Sequence, residues 1–249
     1  MIETLLPEGM SQGTLLALVL ASYISSFISG SLGIGGGGLL LAVMATLVPA
    51  SALIPVHGVV QLGSNAGRAL LLLGKVHRPA LPAFAVGSLV GAVSGGSVAI
   101  DLPESAIQIG IGCFVIWTVV ARPPKWLSEK ALVSGIVSSF LTMLFGATGL
   151  FVASYTKAFR LPRHAHVATH AALMTLQHGL KVVVFAGLGF AFSNWAGLIV
   201  LMLLAGFAGT WTGGHVLNRI DDRRFGLGLN ALLVLISLRL IWQGLGDMY

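Results

Sequence analysis

Charge is what this chain has least of. Only 9% of its 249 residues are Asp, Glu, Lys or Arg, and 56% are apolar. Soluble domains carry about 25% charged residues, so the composition excludes a water-soluble globule of this size. Acids are scarcer than bases, 8 against 14, and none falls inside an apolar run. The single cysteine, Cys113, excludes an intrachain disulfide, a thiol pair and a thiol metal cluster. In its apolar surroundings it reads as a small packing residue. No carboxylate or thiol accompanies the histidines, so no metal site is expected. No buried acid can orient a histidine base, so a catalytic triad is unsupported. The glycine run at 33–38 lacks the Gly-Lys-Ser/Thr of a phosphate loop. Neither an enzyme nor a cofactor is expected. The net charge of +6 comes without a basic stripe interleaved with aromatics, so nucleic acid is not an expected partner. Glu3 and Glu8 stand where a signal peptide would carry basic residues, which predicts that none is cleaved.

Long apolar runs are what the chain does have. Ten segments stand out, at 14–30, 37–50, 54–74, 79–98, 105–121, 131–146, 149–157, 166–188, 193–217 and 226–245. A span needs about 20 residues, so the pairs at 14–50 and 131–157 each contain pieces too short to cross comfortably. Gly33-Ile34-Gly35-Gly36-Gly37-Gly38 joins the first pair, and Gly146-Ala147-Thr148-Gly149 joins the second. With the N-terminus outside and each pair counted as one unit without net crossing, the basic loops carry +8 and all fall inside. The acidic loops carry −5 and all fall outside. Lys/Arg bias sets orientation, so this predicts a multi-pass protein of a bacterial inner membrane with both termini outside. Trp117, Trp126, Trp195, Trp211 and Trp242 fall near segment ends, as an aromatic belt does.

The halves resemble each other. Ser25-Ser26-Phe27, Gly33, Pro49, His57, Arg68 and Gly74 recur as Ser138-Ser139-Phe140, Gly146, Pro162, His170, Lys181 and Gly187, each 113 positions on. Gly91, Gly95, Gly96 and Gly110 recur as Gly209, Gly213, Gly214 and Gly228, each 118 positions on, which one five-residue insertion explains. The expected organisation is a transmembrane repeat at 1–122, a cytoplasmic linker at 123–130 and a second repeat at 131–249. Each repeat holds a short glycine-broken pair and three spans, so the two must be inverted. Inverted repeats with broken helices are a recurrent transporter plan, with the site near the midplane.

Two groups of residues can carry the chemistry. Half-helices starting near Gly35, Gly36 and Gly37, and near Thr148 and Gly149, would aim their positive ends at an anion; tight packing of glycines is the other reading. On the third segment His57, Gln61, Asn65 and Arg68 are spaced 4, 4 and 3 and share a helix face. On the eighth, His170, Met174, Gln177 and Lys181 share a face and His178 sits beside them. Ionisable residues inside a membrane are functional candidates by default. With no acid to pair Arg68 or Lys181, the balancing charge is either a bound anion or, if both side chains snorkel, the interface. The histidines read equally as structural, as donors to an oxyanion or as a proton relay.

The glycine run 33–38 with Pro49 downstream, and the run 146–149 followed by Lys181 and Phe185, resemble the sulfite-exporter family of TauE/SafE type, in the toluene-sulfonate uptake permease superfamily. The resemblance covers nearly the whole chain. It implies a secondary transporter, an exporter of sulfite or a small organosulfonate such as sulfoacetate. An anion channel, or a carrier of a different small organic anion, is the alternative. The partners implied are a small anion and the lipid bilayer, with proton coupling and a homodimer left open.

Overall fold

A computed structural model describes residues 7, 9–99, 102–121, 124–215 and 222–247. Among the described residues eleven α-helices make up the fold: α1 (Gln12–Leu32), α2 (Gly36–Met44), α3 (Ala50–Leu71), α4 (Leu81–Ala99), α5 (Glu104–Val120), α6 (Lys125–Glu129), α7 (Ala131–Phe145), α8 (Gly149–Ala158), α9 (Arg163–Gly187), α10 (Ala196–His215) and α11 (Asp222–Gly246). There is no strand among the described residues. All ten expected segments are helices. The addition is α6, a short turn of helix in the expected linker. The loop charges Glu3, Glu8, Asp101, Arg122, Arg219 and Asp221 lie outside the described residues.

Four helices are long and apolar enough to cross a membrane: α1, α4, α10 and α11. Leu, Val and Trp side chains stand exposed along them, including Leu204, Trp211, Leu235 and Trp242. In water such a surface would aggregate; against lipid it is the expected exterior. Cys113 belongs to that exterior as well. It is exposed on α5 and does not pack inside. The 22-residue α3 and 25-residue α9 are long but polar, and they bury their polar faces against each other in the centre.

The main contacts run between halves. α1 packs along α10, α4 along α7, α3 against α9 and α5 against α11. Small residues let these backbones meet. A Cβ on Gly91 of α4 would strike the Ile136 carbonyl of α7, and one on Gly209 of α10 would strike the Tyr23 carbonyl of α1. Gly95 meets the Phe140 carbonyl and Gly213 meets that of Phe27 in the same way. The glycines of these two crossings are 118 apart and their carbonyl partners 113 apart, so equivalent residues build both.

Candidate functional site

The helix breaks converge on α3 and α9. α1 is stopped by Gly33 (φ +87°), Gly35 turns again (φ +103°), and α2 starts at Gly36. α7 is stopped by Gly146 (φ +79°) and α8 starts at Gly149. Left-handed backbone costs an L-residue about 1–2 kcal/mol, so glycine is what lets the chain reverse within two or three residues. Neither α2 nor α8 has a side-chain cap at its start. First-turn amides have no intrahelical partner, and the macrodipole places about half a positive charge there.

A cavity of about 290 Å³ lies at this convergence. A water takes about 30 Å³ of liquid, so the space holds a small oxyanion and several waters. Gly35, Gly37 and Gly38 line it from the first break, and Gly146, Ala147 and Gly149 from the second. His57, Gln61, Asn65 and Arg68 face it from α3, and His170, Met174 and His178 from α9. No carboxylate lines it among the described residues.

Both basic residues are buried, with Arg68 4% and Lys181 0% exposed, so neither snorkels. Arg68 donates through Nη1 to the carbonyls of Ser29 (3.0 Å) and Gly33 (3.1 Å), and through Nη2 to Asn65 Oδ1. Lys181 Nζ donates to the Gly146 carbonyl at 3.2 Å. Those carbonyls close the C-terminal ends of α1 and α7, the negative poles of the two helices. The broken helices thus supply part of the countercharge that the sequence left to a bound anion or to the interface.

The histidines lie one on each side. His57 Nε2 donates to the Gly37 carbonyl at 3.0 Å, and His170 Nε2 donates to the Gly149 carbonyl at 3.1 Å. Each ring therefore holds the opening turn of a half-helix. The His178 ring stands edge-on to His57, with centroids 6.0 Å apart.

Four expected site residues stand off the cavity wall. Lys181 is one, with its chain packed against Gly58, where a Cβ would come 2.8 Å from Lys181 Cδ. Gln177 donates to Ser138 Oγ and Ser139 Oγ, both at 3.0 Å, and Thr148 donates to Gln177 Oε1 at 3.2 Å. That network ties α7, the second break and α9 together. Gly36 gives α2 its close approach to α1, since a Cβ there would overlap the Ser25 carbonyl. Three polar lining residues escaped the sequence reading: Ser29 on α1, Thr118 on α5 and Asn230 on α11. A lone Asn within the apolar run of α11 was the available signal.

The cavity extends along the last turn of α5 (Thr118, Val119) and the early turns of α11 (Gly226, Leu229, Asn230). Towards the other face it is shut. Leu41, Ile54, Met143 and Leu144 are buried, and a Cβ on Gly146 would meet Leu41 Cδ1 at 2.6 Å. Beyond them lies a separate hollow of about 290 Å³ that includes Ile54, Met143, Leu144 and Glu104. On that side α5 and α11 are pinched together: a Cβ on Gly112 would come 2.8 Å from the Ser237 carbonyl, and one on Gly244 would come 3.0 Å from that of Ser105.

A lipid-type exterior, two broken helices and a central cavity that carries basic residues and no carboxylate among the described residues are the features of a multi-pass membrane transporter. The particular kind follows from comparison with known families. The model of the family described as Sulfite exporter TauE/SafE matches residues 18–240, and the chain belongs to that family. No curated protein and no solved structure matches it.

Proposed function

We propose that this protein is a secondary carrier that exports a small sulfur oxyanion or organosulfonate, such as sulfite or sulfoacetate, across the bacterial inner membrane. The observation that carries the reading is the central cavity. Two uncapped helix N-termini, Arg68 and three buried histidine-bearing positions surround it, and no acid among the described residues does. Such a site attracts an anion and repels a cation. The buried layer at Leu41, Ile54, Met143 and Leu144 supports a carrier rather than an open channel.

In this reading residues 1–122 and 131–249 are inverted repeats joined by 123–130, with both termini outside. The cavity then faces the cytoplasm, where α5 ends and α11 begins. The substrate enters between those ends and rests against the helix breaks. It leaves when α5 and α11 part at their pinched ends and close at their open ones. Export from a negative interior gains about 2.3 kcal/mol for each charge per 100 mV, so the membrane potential alone can drive it.

Purified protein in liposomes tests this. Labelled sulfite flux should appear with the wild type and fall at least about tenfold with Arg68→Gln, the loss of one charge-assisted contact. Full flux in a folded Arg68→Gln protein removes the proposed site.

A further inference from the structure

The hydrogen bonding of the two cavity histidines bears on which protonation state of the anion the site selects. A carbonyl only accepts. His57 Nε2 and His170 Nε2, facing the Gly37 and Gly149 carbonyls at 3.0 and 3.1 Å, must therefore both carry their protons. The neutral ring then has Nδ1 as a bare acceptor. Both Nδ1 atoms are buried and have no partner among the described residues, and the same is true of Arg68 Nε. The rings are 0% and 3% exposed and Arg68 4%, so bulk water does not stand in for the missing partners. Buried polar groups normally find partners. Left over on residues that line the cavity are these two acceptors, the Arg68 donor and His178 Nδ1, which accepts or donates according to its tautomer.

A fully deprotonated oxyanion answers only the donor. A sulfonate has no O–H, and answers only the donor too. A hydrogen-oxyanion answers both kinds, with its O–H to a histidine Nδ1 and its charged oxygens to Arg68 and the first-turn amides of α2 and α8. We infer that the site takes the monoprotonated form of its oxyanion, hydrogensulfite rather than sulfite, with one Nδ1 at a time, that of His57 or that of His170, accepting its O–H. This rests on the anion-site reading above. The proton rides on the ligand oxygen and leaves with it, so each turnover moves one negative charge and one proton together.

The charged surroundings agree. On α9, His178 stands edge-on to His57 and Lys181 packs against Gly58 beside it, while His170 shares the cavity with Arg68 of α3 and has His166 one turn away on its own helix. The residues that line the cavity from α1, α2, α5, α7, α8 and α11 carry no titratable side chain among those described. Among the described residues everything ionisable that lines the cavity beside the two rings is a base, and none offers Nδ1 a carboxyl proton.

The test is titration calorimetry on the purified full chain in lipid nanodiscs, with sulfite and methanesulfonate as probes across the second ionisation of sulfite. Selection of the monoanion predicts that the apparent sulfite Kd weakens about tenfold per pH unit above that ionisation. Methanesulfonate, whose charge is constant, should bind more weakly and without pH dependence. In the paired His57→Phe and His170→Phe variant, sulfite should lose its preference for low pH. Should that variant fail to fold, the two wild-type titrations decide alone. Sulfite binding that is level or tighter at high pH overturns the inference. So does methanesulfonate following the sulfite curve, because the rings themselves would then be taking up the proton. Binding of neither anion at any pH sinks the anion-site reading, and the inference with it.

Discussion

Arg68 and Lys181 occupy equivalent places yet are held differently. The Gly146 carbonyl accepts from Lys181 and also from Thr142 Oγ1 at 2.9 Å. Thr142 is the counterpart of Ser29, whose hydroxyl plays no such part toward Gly33. Among the hydrogen bonds of the described residues, the Gly33 carbonyl accepts from the side chain of Arg68. Removing Lys181 Nζ should therefore leave no carbonyl orphaned and should relieve a desolvated charge. Removing the Arg68 guanidinium orphans Gly33 and strips Asn65 Oδ1 of its donor, at about 1–3 kcal/mol. Thermal melting in detergent should rank Arg68→Met well below Lys181→Met, and equal melting points would contradict this account. The pair, its helix face and its depth were legible in spacing alone, because an unpaired base in an apolar run has few explanations. What spacing could not reveal was the carbonyl ends of α1 and α7. Those depend on where the chain reverses in space, and backbone oxygens leave no mark in a sequence.

At the scale of the element, the two breaks divide the labour of their glycines unevenly. Gly36 is closed off by the Ser25 carbonyl, and any side chain there must push α2 away from α1. Gly149 has room, since a Cβ would sit 3.8 Å from His170 Nε2 and 3.9 Å from Met174 Cε, ordinary contact distances. Gly36→Ala should therefore abolish sulfite flux or folding, while Gly149→Ala should keep flux within about threefold of wild type. Reversed outcomes in the same liposome assay would show that the breaks are packed otherwise. The sequence marked both breaks correctly as glycine hinges but treated their glycines as one class. Close approach and anion contact call for the same residue, and only the neighbour across the gap separates them. Gln177 and Thr148 illustrate the same limit. Polar side chains on an apolar helix looked like ligand contacts, and the structure satisfies them with Ser138 and Ser139.

At the scale of the molecule, the open and closed ends of α5 and α11 are related residue by residue. Val119 and Asn230 line the cavity, and their counterparts 118 positions away, Ser237 and Gly112, are shut in on the far side. Ser237 is 0% exposed, and among the described residues neither its hydroxyl nor the buried Gln108 Oε1 nearby has a partner. Those orphaned groups would be hydrated if the far side opened. In a Cys113→Ala background, Ser237→Cys should react with a water-soluble thiol reagent more slowly than Val119→Cys. Added sulfite should change the two rates in opposite directions if the ends exchange; rates that move together would point to a channel-like opening. The crossed packing has a further consequence, in time. Ser22 Oγ donates to the Met202 carbonyl and Tyr23 bonds Thr212, joining α1 to a helix that follows it by more than half the chain. Ribosomes add about 5–20 residues per second, so α1 waits roughly ten to thirty seconds in the membrane before α10 is made. During that interval its serine-lined seam must be sheltered by something other than its final neighbour, which makes the insertion machinery a temporary stand-in for the second half of the protein.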